Sequence, residues 1–117
     1  MYGSTLPGSW ENENYSAIIS LLYINWDFLE ESMKLEAIED CRNRHCAWPM
    51  GKLVKSGDRY RMDISSAEAE RWLIISPIHA NRLHVRAFTR FRDSANLSSW
   101  EYYFTRSGGS SRGNSNK

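Results

Sequence analysis

Two contrasting periodicities and an aromatic-rich composition predict an α+β domain: two N-terminal helices packed on one face of a curved four- to five-stranded antiparallel sheet. Before Pro49 the apolar residues recur every three or four positions. After it they alternate with polar ones. The 117 residues are 41% hydrophobic and 25% charged, with five Trp, six Tyr and four Phe, a supply that suits one core rather than disorder. The longest apolar run, Ala17 to Ile24, is interrupted by Ser20 and falls far short of the roughly 18 residues of a membrane span.

Residues 1–9 are rich in Gly, Ser and Pro and read as a flexible N-terminus without the basic and apolar regions of a secretory signal. A single domain follows over 10–106. Tyr15, Ile19, Leu22, Trp26, Leu29, Met33, Ala37 and Cys41 form one helical stripe, widened by Ile18, Leu21, Phe28, Leu35 and Ile38. One straight helix through all of it would be roughly 45 Å long, longer than a domain of this size is wide. Asp27-Phe28-Leu29-Glu30 has the spacing of a capping box. Two helices, 12–25 and 28–44, broken near Asp27, are therefore expected, with one overhanging helix as the alternative.

The second half reads as strands. Lys52 to Lys55 and Arg59 to Ile64 flank a three-residue loop, Ser56-Gly57-Asp58, as a hairpin. Ser65-x-x-Glu68 has the pattern that caps one helical turn. Trp72 to Ser76 is a strand that stops at Pro77. Arg82 to Arg92 is the longest strand, Asp93 to Ser98 the turn after it, and Ser99 to Arg106 the last strand. Residues 107–117 contain no apolar side chain and read as a disordered polar tail.

Along Arg82–Arg92 the two faces differ in chemistry. Leu83, Val85, Ala87, Thr89 and Phe91 lie on one; Arg82, His84, Arg86, Phe88, Arg90 and Arg92 lie on the other. Planar guanidinium groups interleaved with a ring suit a partner bearing carboxylates or phosphates. The charge is also asymmetric. Residues 1–50 hold three basic and eight acidic side chains, whereas 51–117 hold twelve and six.

Three readings compete for the arginine face. It is the solvated side of a sheet; or it pairs, within the chain or across a dimer, with Glu30, Glu31, Glu36, Glu39 and Asp40 of the helices; or it binds an anionic partner, an acidic protein surface or nucleic acid. A formal net charge of +1 weighs against nucleic acid. The third reading makes the chain a non-enzymatic binding module using Arg82, His84, Arg86, Phe88, Arg90 and Arg92. A rival function is an apolar pocket between helices and sheet, lined by Trp26, Asp27, Trp72, His84, Trp100 and Tyr102, serving a small-molecule binder or small enzyme. Charge asymmetry and surplus aromatics also predict a homodimer.

Other chemistry finds little footing. Cys41, His45 and Cys46 supply three soft ligands where zinc takes four, so no metal is expected. No phosphate-cradling or nucleophile motif occurs, and no cofactor is expected. His79 and His84 are general-base candidates by residue type, but a lone histidine next to a strand is more often structural. On one helix the two cysteines would lie too far apart for a disulfide. They read as reduced thiols of a cytoplasmic protein, in which the triplets Asn14-Tyr15-Ser16 and Asn96-Leu97-Ser98 carry no sugar.

Overall fold

The computed structural model describes residues 6–14, 17, 19–41, 44–94 and 96–107, with the side chains of 40–47 outside the description. Nine strands follow one another: β1 (Gly8–Asn12), β2 (Ile19–Asp27), β3 (Ser32–Cys41), β4 (Arg44–Ala47), β5 (Gly51–Ser56), β6 (Arg59–Ser65), β7 (Ala69–His79), β8 (Arg82–Phe91) and β9 (Leu97–Arg106). All pairings are antiparallel. β4 and β5 lie end to end along the same side of β3, against Ile38–Cys41 and Met33–Leu35 respectively. The sheet therefore has eight staves. β1 bonds to both β2 and β9, which closes it into an up-and-down barrel.

The α+β expectation is overturned: no described residue is helical. Both proposed helices, 12–25 and 28–44, are strands. The misleading three-and-four spacing has identifiable sources. A register shift between Ile19 and Leu21 places a bulge at Ser20, so the buried Ile19 and Leu22 are three apart instead of two. Ile24 then resumes the alternation, matched across β3 by Leu35 and Ala37. Phe28 and Leu29, counted as helix core, stand in water at the β2–β3 turn. The Asp27 cap is real but serves a turn: its Oδ1 accepts the N–H groups of Leu29 and Glu30 at 3.0 and 3.2 Å.

Inward positions fill the barrel with one continuous cluster. Trp10, Leu22, Ile24, Leu35, Met62, Leu73, Ile75, Leu83, Val85 and Phe104 are among its largest fully buried members. Eight staves leave an interior just wide enough for such a filling. Asn12 is the buried polar residue among those described; its Nδ2 donates to Ile19 O at 2.8 Å and its Oδ1 accepts from Asn14 N at 2.8 Å. Inside, then, the barrel is apolar.

The seam between β1 and β9 is clasped by Arg106. Its guanidinium lies 4.3 Å from the Trp10 ring centroid and donates to Pro7 O at 2.9 Å and Ala80 O at 3.1 Å. Gly8, at φ 140°, makes room for it; a Cβ there would stand 2.6 Å from the guanidinium. Leu6 is also buried, and β1 begins at Gly8, inside the stretch read as a flexible N-terminus.

Three shorter corrections concern turns and strand ends. The β5–β6 loop is two residues, not three, with Gly57 at φ 66° as a type II′ turn requires at its first position. At 65–68 no helical turn forms; Ser66 Oγ accepts from Ala69 N at 3.2 Å and closes a tight link between β6 and β7. β7 runs through Pro77, which pairs opposite Leu83, and the lost N–H is accommodated at a register shift immediately beyond it.

Leu22 and Leu29 separate the two architectures. A helical stripe buries both, because they are seven residues apart; the barrel buries only Leu22. Leu22→Ala is expected to cost about 2–5 kcal/mol, and Leu29→Ala close to nothing. Urea unfolding of both variants measures this, and equal losses would contradict the strand register.

Candidate functional site

Closure assigns every strand an outward row, and on β6, β7 and β8 these rows meet in a ladder of rings and guanidinium groups. Trp72 pairs opposite Phe88, and their rings stack at 5.2 Å between centroids with planes 12° apart. From β6, on the other side of β7, Arg61 places its guanidinium 5.3 Å from the indole centroid. Arg86 lies 5.3 Å from the Phe88 ring, and Arg90 6.0 Å from the indole. Indole and phenyl faces are thus occupied by one another and by cations.

The ladder arginines Arg61, Arg86 and Arg90 each also have a carboxylate. Arg61 meets Asp63 at 2.6 Å, Arg86 meets Glu101 at 3.9 Å, and Arg90 meets Glu70 at 3.2 Å. Arg82 grips Glu13 through two bonds of 2.9 Å and covers the Tyr103 ring at 4.1 Å. These carboxylates come from β6, β7, β9 and the segment after β1. None comes from the acidic β2–β3 hairpin among the described pairs, so within the chain these arginines do not pair with Glu30, Glu31, Glu36 or Glu39; the Asp40 side chain lies outside the described residues.

The alternation in β8 is as expected over most of its length. Leu83, Val85 and Ala87 are buried, and Arg86 and Arg90 exposed. It fails at Phe91, which is 42% exposed because β8 is leaving the barrel there. Arg92 lies past the strand end. It donates to Ser66 O at 2.9 Å and Ser65 Oγ at 3.1 Å, and its Nη1 approaches Glu70 at 3.3 Å, so it ties the β6–β7 link. His84 is mostly shielded, its ring 5.1 Å from Tyr103 and its Nε2 3.6 Å from Glu101. Among the six residues of the expected binding face, Arg86, Phe88 and Arg90 belong to the ladder. Arg82 and His84 form a second group around Tyr103.

The residues proposed for a pocket do not share one. Trp26 and Asp27 stand at the β2–β3 end; Trp72 and His84 point outward; Trp100 and Tyr102 point inward, with centroids 4.6 Å apart. The cysteines pair opposite other residues, Cys41 with Arg44 and Cys46 with Glu39. The helix argument about their separation falls with the helix. Their side chains and that of His45 lie outside the described residues; among those described, no group of metal-ligating side chains occurs.

Sequence reading missed Arg61, Asp63, Glu70 and Arg71 as members of the site. For Arg61 and Asp63 the signal was present in the β6 alternation: once Tyr60, Met62 and Ile64 face inward, both must join the outward face; Glu70 and Arg71 are brought beside them by the pairing of β6 with β7. Beside the ladder is a depression of about 320 Å³ lined by Arg61, Arg71, Trp72 and Arg90, with Ile64, Ser65, Asp63 and Glu70 completing it. Arg71 reaches it from the barrel rim, where its guanidinium lies 5.6 Å from the Trp48 ring and has no carboxylate within 4 Å among the described residues. Trp48 donates through Nε1 to Glu39 at 2.5 Å.

Fold and face together define a closed eight-stranded antiparallel barrel with a filled interior and an arginine–aromatic exterior. No protein-family model, no curated protein and no solved structure matches the chain. No helix among the described residues is long and apolar enough to cross a membrane.

The ion pairs set a direction for acid sensitivity. Hydrogen bonds from Arg82, then Thr105, hold the Glu13 carboxyl below its ordinary value of 4.5. The hydrogen bond from Arg90 and the charge of Arg92 do the same for Glu70. A depressed folded pKa gives stability that is present above the unfolded value and lost as pH falls through the folded one. Melting temperature should therefore decline as pH drops below 4.5, less steeply in high salt. Glu13→Gln with Glu70→Gln should flatten that decline; an unchanged slope would show that other carboxylates cause it.

Proposed function

We propose that the chain is a non-enzymatic binding module whose β6–β8 exterior receives an acidic segment of a partner protein. The observation that carries this reading is the Arg61–Trp72–Phe88–Arg86 ladder beside the Arg61–Arg71–Arg90 depression. Stacking fixes the guanidinium groups before a partner arrives, which reduces the entropy lost on binding. Their present carboxylate partners are no obstacle. Exposed ion pairs are worth about 0–1 kcal/mol each, so an incoming Asp or Glu can exchange with Asp63 or Glu70 at small cost.

Chemistry favours carboxylate over nucleic acid. Single-stranded nucleic acid binds by laying bases on open ring faces, and here those faces are covered by neighbouring rings and arginines. The rival small-molecule cavity inside the barrel competes with the side chains that already fill it.

Fluorescein-labelled poly-L-glutamate is the probe, with a single-stranded oligothymidine of equal charge as comparator. Anisotropy should report binding of poly-glutamate that weakens steeply with salt. Arg86→Glu with Arg90→Glu should reduce it by about tenfold or more without altering the β-sheet circular dichroism. Salt-insensitive binding, binding unaffected by the reversal, or tighter binding of the oligonucleotide would each overturn the reading.

A further inference from the structure

The β2–β3 turn holds two large apolar side chains in water. Phe28 is 82% exposed and Leu29 96%. The turn is constrained, not loose: besides the two bonds to Asp27, Glu31 adopts φ 52°, and Lys34 Nζ lies 2.8 Å from Glu30 and 3.8 Å from Asp27. The Phe28 ring abuts Trp26 edge to face, at 6.4 Å and 76°. Scattered exposed apolar residues need no explanation, but a contiguous group does. Here Trp26 and Val54 continue the apolar surface away from the tip.

Beside the tip is a depression of about 500 Å³ at the barrel end. It is lined by the buried Leu53 and Tyr60, the half-buried Met33, the exposed Trp26 and Val54, and the exposed Lys52 and Lys55, with Glu31 and Ser32 from the turn side.

We infer that tip and depression are the two halves of one self-complementary interface, in which Phe28 and Leu29 of each protomer seat in the Trp26–Leu53–Tyr60 depression of a second copy. Charge selects this occupant. The tip carries Asp27, Glu30 and Glu31 against one Lys34, whereas the depression, which Glu31 also borders, carries the two cations Lys52 and Lys55 and is net basic. The same acidic residues oppose an anionic lipid surface. Because both halves lie at one end of the barrel, a single two-fold axis makes both contacts at once and closes the assembly at two copies. The dimer suggested by charge asymmetry thereby gains a surface, one that leaves Arg86 and Arg90 free.

Sedimentation equilibrium of the full chain tests this. The wild type should sediment at twice the 13.6 kDa chain mass, and Phe28→Ser with Leu29→Ser should be monomeric with unchanged circular dichroism, since neither side chain belongs to the core. Lys52→Glu with Lys55→Glu should also be monomeric, and adding Glu30→Lys with Glu31→Lys should restore the dimer. A wild type that is monomeric at its highest soluble concentration, or a dimer that survives loss of Phe28 and Leu29, would overturn the inference. So would a monomer that co-sediments with phosphatidylcholine vesicles through these two residues, because the occupant would then be lipid.

Discussion

Everything in this molecule depends on a strand of five residues. β1 bonds to β2 on one side and β9 on the other, and without it the sheet would have two open edges and an exposed apolar face. Trp10 anchors it from within. The ring is 1% exposed, its Nε1 donates to Leu6 O at 2.9 Å, and Arg106 covers it from β9. Once the barrel is closed, alternation leaves each side chain a filled interior or water, with no third place. The arginine–aromatic face is the outward half of that division.

That face adds little to the stability of the fold. An aromatic pair contributes about 0.5–1.5 kcal/mol, an exposed cation–π contact about 0.5–1, and an exposed ion pair less than about 1. Truncating one interior leucine removes about 2–5 kcal/mol. The interior holds the barrel together, and the ladder is in a position to act on other molecules. This difference in magnitude is why charge reversal at Arg86 and Arg90 separates binding from folding.

The sequence was legible where a strand's own alternation decides the outcome. Leu83, Val85 and Ala87 alternate with Arg86 and Arg90 on a strand that follows its own pattern. Asp27 was recognised as accepting backbone N–H groups, and Gly57 as a turn residue. What it accepted them for was misjudged, because a helix cap and a hairpin turn use the same side-chain bond. The N-terminal third failed for a non-local reason. One bulged residue at Ser20 and two apolar side chains held out at 28–29 together imitate a 3.6-residue period, and only the pairing of β1 with β9, across almost the whole chain, shows that these are barrel staves. Glu70 and Arg71 joined the site through the pairing of β7 with β6 and β8, which no single strand's pattern contains.

The five tryptophans report on this account directly. Trp72 lies in the ladder, Trp10 and Trp100 inside the barrel or packed on its core, Trp48 at the rim and Trp26 beside the hairpin tip. An NMR titration with poly-L-glutamate, following the five indole N–H signals, asks both where the acidic probe binds and which rings face outward. The barrel with an arginine–aromatic exterior predicts a shift of the Trp72 signal that saturates with probe and vanishes in high salt, while Trp10 and Trp100 stay in place. A shift confined to Trp26 or Trp100, or one shared equally by all five, would contradict it.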